Sequence, residues 1–131
     1  MGRYTDPMEG TVATVERPDG TSIHTVSAGS GERTVVLAHG YGFTLDGWNL
    51  IAGSLVDRGM RVVAFDQRGH GRSTIGSDGI GSAQMASDYG AVLEAHDLDD
   101  AVLVGHSMGG FLSIAFLLGG SEAVDRVGSL L

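Results

Sequence analysis

An α/β fold with a mostly parallel sheet, an antiparallel strand pair at its start and flanking helices is what this sequence predicts. Three short valine-rich runs, 34–38, 61–65 and 101–104, are apolar at successive rather than alternate positions. Unbroken apolarity marks strands buried on both faces, as parallel strands between helical layers are. The segments between the runs keep a helical period, and a glycine-bearing loop follows each run. Strand, helix, strand, helix, strand, helix is the order of a parallel sheet with right-handed crossovers.

Along the sequence, residues 11–15 and 22–26 flank Pro18-Asp19-Gly20, a turn in which proline presets φ and glycine accepts a positive one. They form the antiparallel pair. Trp48, Ile51, Ala52, Leu55 and Val56 recur at helical spacing and predict a helix facing the core, with Asp46 placed to cap it. Met85, Tyr89, Val92, Leu93 and His96 repeat that spacing after a cap at Ser82. Residues 107–118 are apolar nearly all round, which predicts a helix buried against the sheet. Gly119-Gly120-Ser121 stops it, 122–126 adds one turn, and 127–131 opens another strand. Gly76 to Gly81 reads as a mobile surface loop. Because the sequence stops inside an apolar run, the strand before Ser107 is expected to keep an exposed apolar edge. Residues 1–131 therefore read as the N-terminal portion of a single domain whose C-terminal half is absent.

Composition narrows the function. A chain of 131 residues, 42% apolar, suits one globular domain. Sixteen acidic residues face eight basic ones, all arginine, for a net charge of -8. Without lysine or a basic stripe, neither nucleic acid nor an anionic membrane is an expected partner. Absence of cysteine removes disulfides, thiolate metal sites and a cysteine nucleophile. The start, MGRYTDPMEG, shows no charged segment leading into an apolar run, so no secretory signal is expected. No stretch approaches the roughly 20 apolar residues of a membrane span. A cytoplasmic location follows as the expectation.

Three blocks carry chemistry. With 22 glycines in the sequence, a bare G-x-S-x-G match has little weight. In Gly105-His106-Ser107-Met108-Gly109, however, an apolar strand precedes and an apolar helix follows. That context turns the backbone sharply and pushes the serine hydroxyl out at the top of a sheet. The helix behind it aims its positive dipole end at the same place. His39-Gly40-Tyr41-Gly42 follows the first parallel run, where glycines let backbone N–H groups approach a substrate. The third block, Asp66 to Ser73 (DQRGHGRS), lacks the spacing and the lysine of a phosphate-binding loop, and reads as a loop held by its own Asp and Arg hydrogen bonds. No His, Asp or Glu cluster has metal-ligand spacing, so no metal is predicted.

Together these blocks resemble the α/β-hydrolase superfamily, from about Thr11 to Leu131. HGYG with Trp48 nine residues after His39 matches its oxyanion loop, DQRGHGRS its D-x-R-G-x-G-x-S loop, and GHSMGG its nucleophile elbow. The serine form of that elbow belongs to esterases, lipases and cofactor-free haloperoxidase-like members. The resemblance implies Ser107 as nucleophile, Tyr41 and Met108 as oxyanion N–H donors, no cofactor, and a small acyl compound as substrate. A serine at the elbow speaks against the epoxide-hydrolase and haloalkane-dehalogenase branches, which need a carboxylate there. The family's acid, histidine and lid come late in its sequences. Only 24 residues follow Ser107, with no histidine and one aspartate, Asp125. His39, His70 and His106 lie near the serine in sequence pattern, yet the elbow expects its base from a later loop; His24 and His96 read as packing residues. The implied function is a carboxylic-ester hydrolase completed by a C-terminal fragment or a second polypeptide, and nearly inactive alone. A haloperoxidase, perhydrolase or acyltransferase of the same fold, and a non-catalytic binding module, are the alternatives.

Overall fold

The structure, a computed structural model, describes residues 6–131. Part of the N-terminal stretch read for a secretory signal lies outside them. Six strands, β1 (Thr11–Glu16), β2 (Ser22–Ala28), β3 (Thr34–Ala38), β4 (Arg61–Phe65), β5 (Ala101–Gly105) and β6 (Val127–Leu130), form one sheet in the order β1-β2-β4-β3-β5-β6. Pairing is antiparallel from β1 to β2 and β2 to β4, and parallel from β4 through β3 and β5 to β6. Helices α1 (Asn49–Asp57), α2 (Ser82–Ala95) and α3 (Met108–Leu118) make the crossovers. The mostly parallel α/β architecture and the antiparallel start are as the sequence predicts.

The pleat explains the unbroken apolar runs. Val36, Ala38, Val63, Phe65 and Leu103 point to one face, where Tyr89, Val92 and Leu93 of α2 and Leu112 and Phe116 of α3 cover them. Val35, Leu37, Val62 and Ala64 point to the other, against Leu45 and Ala52. Each central strand is therefore apolar on both sides.

Several local expectations are corrected. Thr44, not Asp46, caps the first turn: its hydroxyl accepts from Asp46 N–H at 3.3 Å, and a 3-10 turn, Leu45–Trp48, leads into α1. The Asp46 carboxylate accepts from Met8 N–H instead. Ile51 is 48% exposed, and Ala52 is the buried residue of α1. Ser82 lies inside α2, whose cap position is Gly81. On α3, Phe111, Ile114 and Leu118 face outward, so only one side of this all-apolar helix is buried. β5 is paired on both sides, by β3 and by β6, and is not an edge.

The 76–81 loop is tied down. Asp19 of the β1–β2 turn accepts from Ser77 N–H and Asp78 N–H, and Thr21 Oγ1 accepts from Gly76 N–H at 2.8 Å. Arg68 Nη1 donates to Gly79 C=O.

Candidate active site

Parallel strands end on a common edge, so the loops after β3, β4 and β5 converge. Ser107 stands between β5 and α3 at φ 54, ψ -114, the conformation of the first central residue of a type II′ turn. Gly109 N–H donates to His106 C=O at 2.9 Å and closes that turn. Glycine is required on both sides of it. A Cβ on Gly105 would come 2.5 Å from Gly110 Cα, and one on Gly109 would sit on the Ala38 carbonyl oxygen. The Ser107 side chain is exposed, and its Oγ makes no hydrogen bond among the described residues.

The β3 loop lies against this turn. His106 N–H donates to Ala38 C=O at 3.0 Å, and a Cβ on Gly40 would be 2.8 Å from His106 Nδ1. Phe43 N–H donates to Gly40 C=O, so Tyr41 sits at the tip of a tight turn, 78% exposed. The N–H groups of Tyr41 and Met108 donate to no acceptor among the described residues. Met108 opens α3, so its amide also stands at the positive end of the helix dipole. An exposed hydroxyl thus has two uncommitted amides in neighbouring turns, an arrangement suited to attack on a carbonyl and binding of the oxyanion formed.

The nearby histidines are engaged otherwise. His39 is 2% exposed; its Nδ1 donates to Gly40 C=O at 2.8 Å, and its Nε2 accepts from Gln67 N–H at 2.9 Å. Burial holds the imidazole below its ordinary pKa, against the pull of the Gly40 carbonyl. His70 Nδ1 lies 3.1 Å from Arg68 C=O, and its ring packs on His39 and Tyr41. His106 meets Phe43 edge to face. His96 Nε2 lies 2.9 Å from Thr25 Oγ1; burial and then Arg61 hold it low. His24 Nε2 is buried without a hydrogen-bond partner. None of these rings is hydrogen-bonded to Ser107.

The Asp66–Ser73 loop is a scaffold. Asp66 accepts from Leu45 N–H at 2.8 Å and Arg72 N–H at 3.0 Å, and its backbone carbonyl accepts from Ser73 Oγ. Arg68 forks onto Asp88 at 3.0 and 2.9 Å and reaches Asp19 at 2.7 Å. Hydrogen bonds to Asp88 raise the Arg68 pKa above its already high ordinary value. For Asp19, burial works upward. Hydrogen bonds from Thr21 and Asp78, with the Arg68 charge, outweigh it and hold the carboxyl at about 2. The Arg68 guanidinium is thus spent on internal carboxylates, while Arg72 gives Asp66 its backbone N–H.

Sequence reading missed a buried polar layer under the elbow. Gln67, 1% exposed, donates from Nε2 to His39 C=O at 2.7 Å. The Tyr89 hydroxyl lies 3.0 Å from Gln67 Oε1 and 3.3 Å from Gly109 C=O, and Ser113 Oγ donates to that carbonyl at 2.6 Å. Burial pushes the Tyr89 hydroxyl well above its usual range, so it stays a donor. The available signal was Tyr89 itself: a tyrosine on a helix's inward face needs a partner for its hydroxyl.

Two surface depressions, of 830 and 370 Å³, lie beside α1 and between α2 and α3; neither is lined by Ser107, Tyr41 or Met108. Among the described residues, no three His, Cys, Asp or Glu side chains gather to hold a metal ion. No helix among them is long and apolar enough to cross a membrane.

A parallel α/β sheet with an exposed serine on a strand–helix turn defines a class, and sequence comparison places the chain within it. The family model described as alpha/beta hydrolase fold matches residues 33–130, and the chain belongs to that family. It is 43% identical over 96 residues to a non-heme haloperoxidase of Rhodococcus erythropolis, covering 73% of this chain and 35% of the relative. It is 40% identical over 93 residues to a non-heme chloroperoxidase of Burkholderia pyrrocinia, covering 71% and 34%. An esterase from Exiguobacterium antarcticum superposes with TM-score 0.83 at 32% identity, over 93% of this chain and 44% of that one. The chain spans about a third of the length of the curated relatives it matches. Its architecture is that of the α/β-hydrolase fold, matched over less than half of the esterase's length.

Proposed function

We propose that this chain is the N-terminal portion of a single-domain carboxylic-ester hydrolase, with Ser107 as nucleophile and the Tyr41 and Met108 N–H groups as its oxyanion hole. The observation that carries the reading is Ser107 at φ 54, exposed and unbonded, beside two amides without acceptors among the described residues. Ser107 Oγ attacks the acyl carbonyl and gives its proton to a histidine supplied by the C-terminal half. The two amides hold the oxyanion, the alcohol leaves with that proton, and water then releases the acid from the acyl-enzyme. No described histidine is hydrogen-bonded to Ser107, and on this reading the 131 residues alone turn over slowly. The C-terminal half is thus the partner this reading requires.

A second reading shares the acyl-enzyme and replaces water by hydrogen peroxide, giving a peracid; the name of a relative in Acinetobacter calcoaceticus, a bifunctional esterase/perhydrolase, favours it. Fluorophosphonate labelling with and without the C-terminal half tests both. Labelling confined to Ser107, lost in Ser107→Ala, supports the nucleophile. No labelling with the base-bearing half present refutes it in favour of a non-catalytic binding module. Peracid formed from ester and peroxide, weighed against acid formed from ester alone, separates the two reactions.

A further inference from the structure

The buried polar layer beneath the elbow has a use that the acyl-transfer steps do not draw on. One end is His39, whose carbonyl oxygen and Nε2 both accept from Gln67, at 2.7 and 2.9 Å. The other end is Gly109, whose C=O lies 3.3 Å from the Tyr89 hydroxyl and accepts from Ser113 Oγ. Gln67 and Tyr89 join the ends at 3.0 Å. His39 stands two residues before Tyr41, and Gly109 one residue after Met108.

We propose that Gln67 and Tyr89 are positioning residues, a bridge from His39 to Gly109 that holds the Tyr41 and Met108 amides at a fixed separation and orientation. The proposal rests on the reading of Ser107 as nucleophile. Gln67 and Tyr89 are each 1% exposed, so water offers no substitute partner and the bonded arrangement has no cheap alternative. Packing alone does not call for these polar atoms. The Tyr89 ring meets Phe65 at 5.0 Å and Phe116 at 6.2 Å, and phenylalanine would fill the same space. Gly109 also abuts Ala38 directly. One contact fixes a distance, whereas a second, offset attachment fixes a tilt as well. Tilt is what an amide aimed at an oxyanion needs.

Tyr89→Phe keeps the ring and removes the hydroxyl; Gln67→Met keeps the volume and removes both side-chain bonds. In the enzyme that contains this chain with its base, each lowers kcat about tenfold by misaiming the amides, with KM within about twofold. Affinity for a boronic-acid transition-state analogue falls in step with kcat, while affinity for the product acid does not. The double variant is about as impaired as either single one, because both break one bridge. A merely structural role predicts a lower unfolding midpoint with unchanged kcat and analogue affinity well below it, and that result overturns the proposal. Should Gln67→Met not fold, Tyr89→Phe decides. Ser107→Ala keeps the two readings apart: full turnover there ends the hydrolase reading, whereas a dead Ser107→Ala beside an unaffected Tyr89→Phe ends only the bridge.

Discussion

Ser107→Gly and Ser107→Ala both delete the hydroxyl and differ by one Cβ, which makes them a direct measure of strain at the elbow. At φ 54, ψ -114 a residue with a Cβ lies outside the left-handed helical basin, in a region that glycine occupies. Such a conformation costs about 1–3 kcal/mol and persists only where its surroundings enforce it. Here Gly105, Gly109 and the Ala38 carbonyl crowd the turn from both sides. Alanine keeps the strain, and glycine releases it. Against the release stands glycine's extra freedom in the unfolded state, worth about 0.4–1 kcal/mol. The Ser107→Gly protein should therefore be more stable than Ser107→Ala by about 0.5–2 kcal/mol. Since the hydroxyl makes no hydrogen bond among the described residues, Ser107→Ala should stay within about 0.5 kcal/mol of the parent. Urea unfolding of the three proteins measures this as a difference in midpoint at equal slope. A glycine variant no more stable than the alanine variant would mean the turn is relaxed. The fold would then not be what holds the serine toward solvent, and the case for a nucleophile built on turn geometry would fail.

Gly109→Ala should lower stability by about 1–3 kcal/mol, because the new Cβ meets backbone atoms of Ala38 and His39 that cannot move aside; urea unfolding reads the loss, and fluorophosphonate labelling of Ser107 should drop with it. His39 is kept neutral by burial, below its ordinary 6.5, so the unfolded state protonates first. The stability this contributes is full above pH 6.5 and is lost as pH falls toward the folded value, with His96 acting in the same direction. Unfolding midpoints should fall from pH 7 to pH 5, and His39→Gln should flatten that slope. Asp19 has the same sign at lower pH: its share of stability is present above 3.8 and is lost as pH falls through about 2. An acid titration followed by circular dichroism should show Asp19→Asn losing that component.

How much of this is legible in the sequence differs by element, and the reason is physical. The strand runs at Thr34–Ala38 and Arg61–Phe65 lie where the apolar pattern puts them, because burial on both faces demands an unbroken apolar run whose ends mark the strand. The starts of α1 and α2 depart from the sequence expectation, since Asp46 and Ser82 are good capping residues whose use depends on tertiary geometry that composition does not carry. Asp46 binds Met8, and Thr44 takes the cap. The α3 stripe of Phe111, Ile114 and Leu118 reads as core in the sequence because hydropathy cannot distinguish a face that neighbours cover from one they leave open. Ser107, Tyr41 and Met108 are proposed through the resemblance of their two loops to the family's, in which tight turns restrict residue type at known offsets. Gln67, Tyr89 and Ser113 are not legible in this way, since they meet only through three elements far apart in sequence.

Strand order explains why Ser107 and the two proposed oxyanion amides converge on one edge of the sheet. β3 lies between β4 and β5, so its terminal loop is flanked by both neighbours' loops on one edge. His39 takes Gln67 from the β4 side, while Ala38 takes His106 and crowds Gly109 on the β5 side. The two amides and the hydroxyl therefore come from adjacent parallel strands, whose shared register brings their loops together on one edge. A base has the opposite requirement. Its ring must keep a nitrogen free toward Ser107, and both ring nitrogens of His39 are spent on the loop itself. None of the described histidines is hydrogen-bonded to Ser107, and the proposed reading takes its proton acceptor from outside the β4-β3-β5 group.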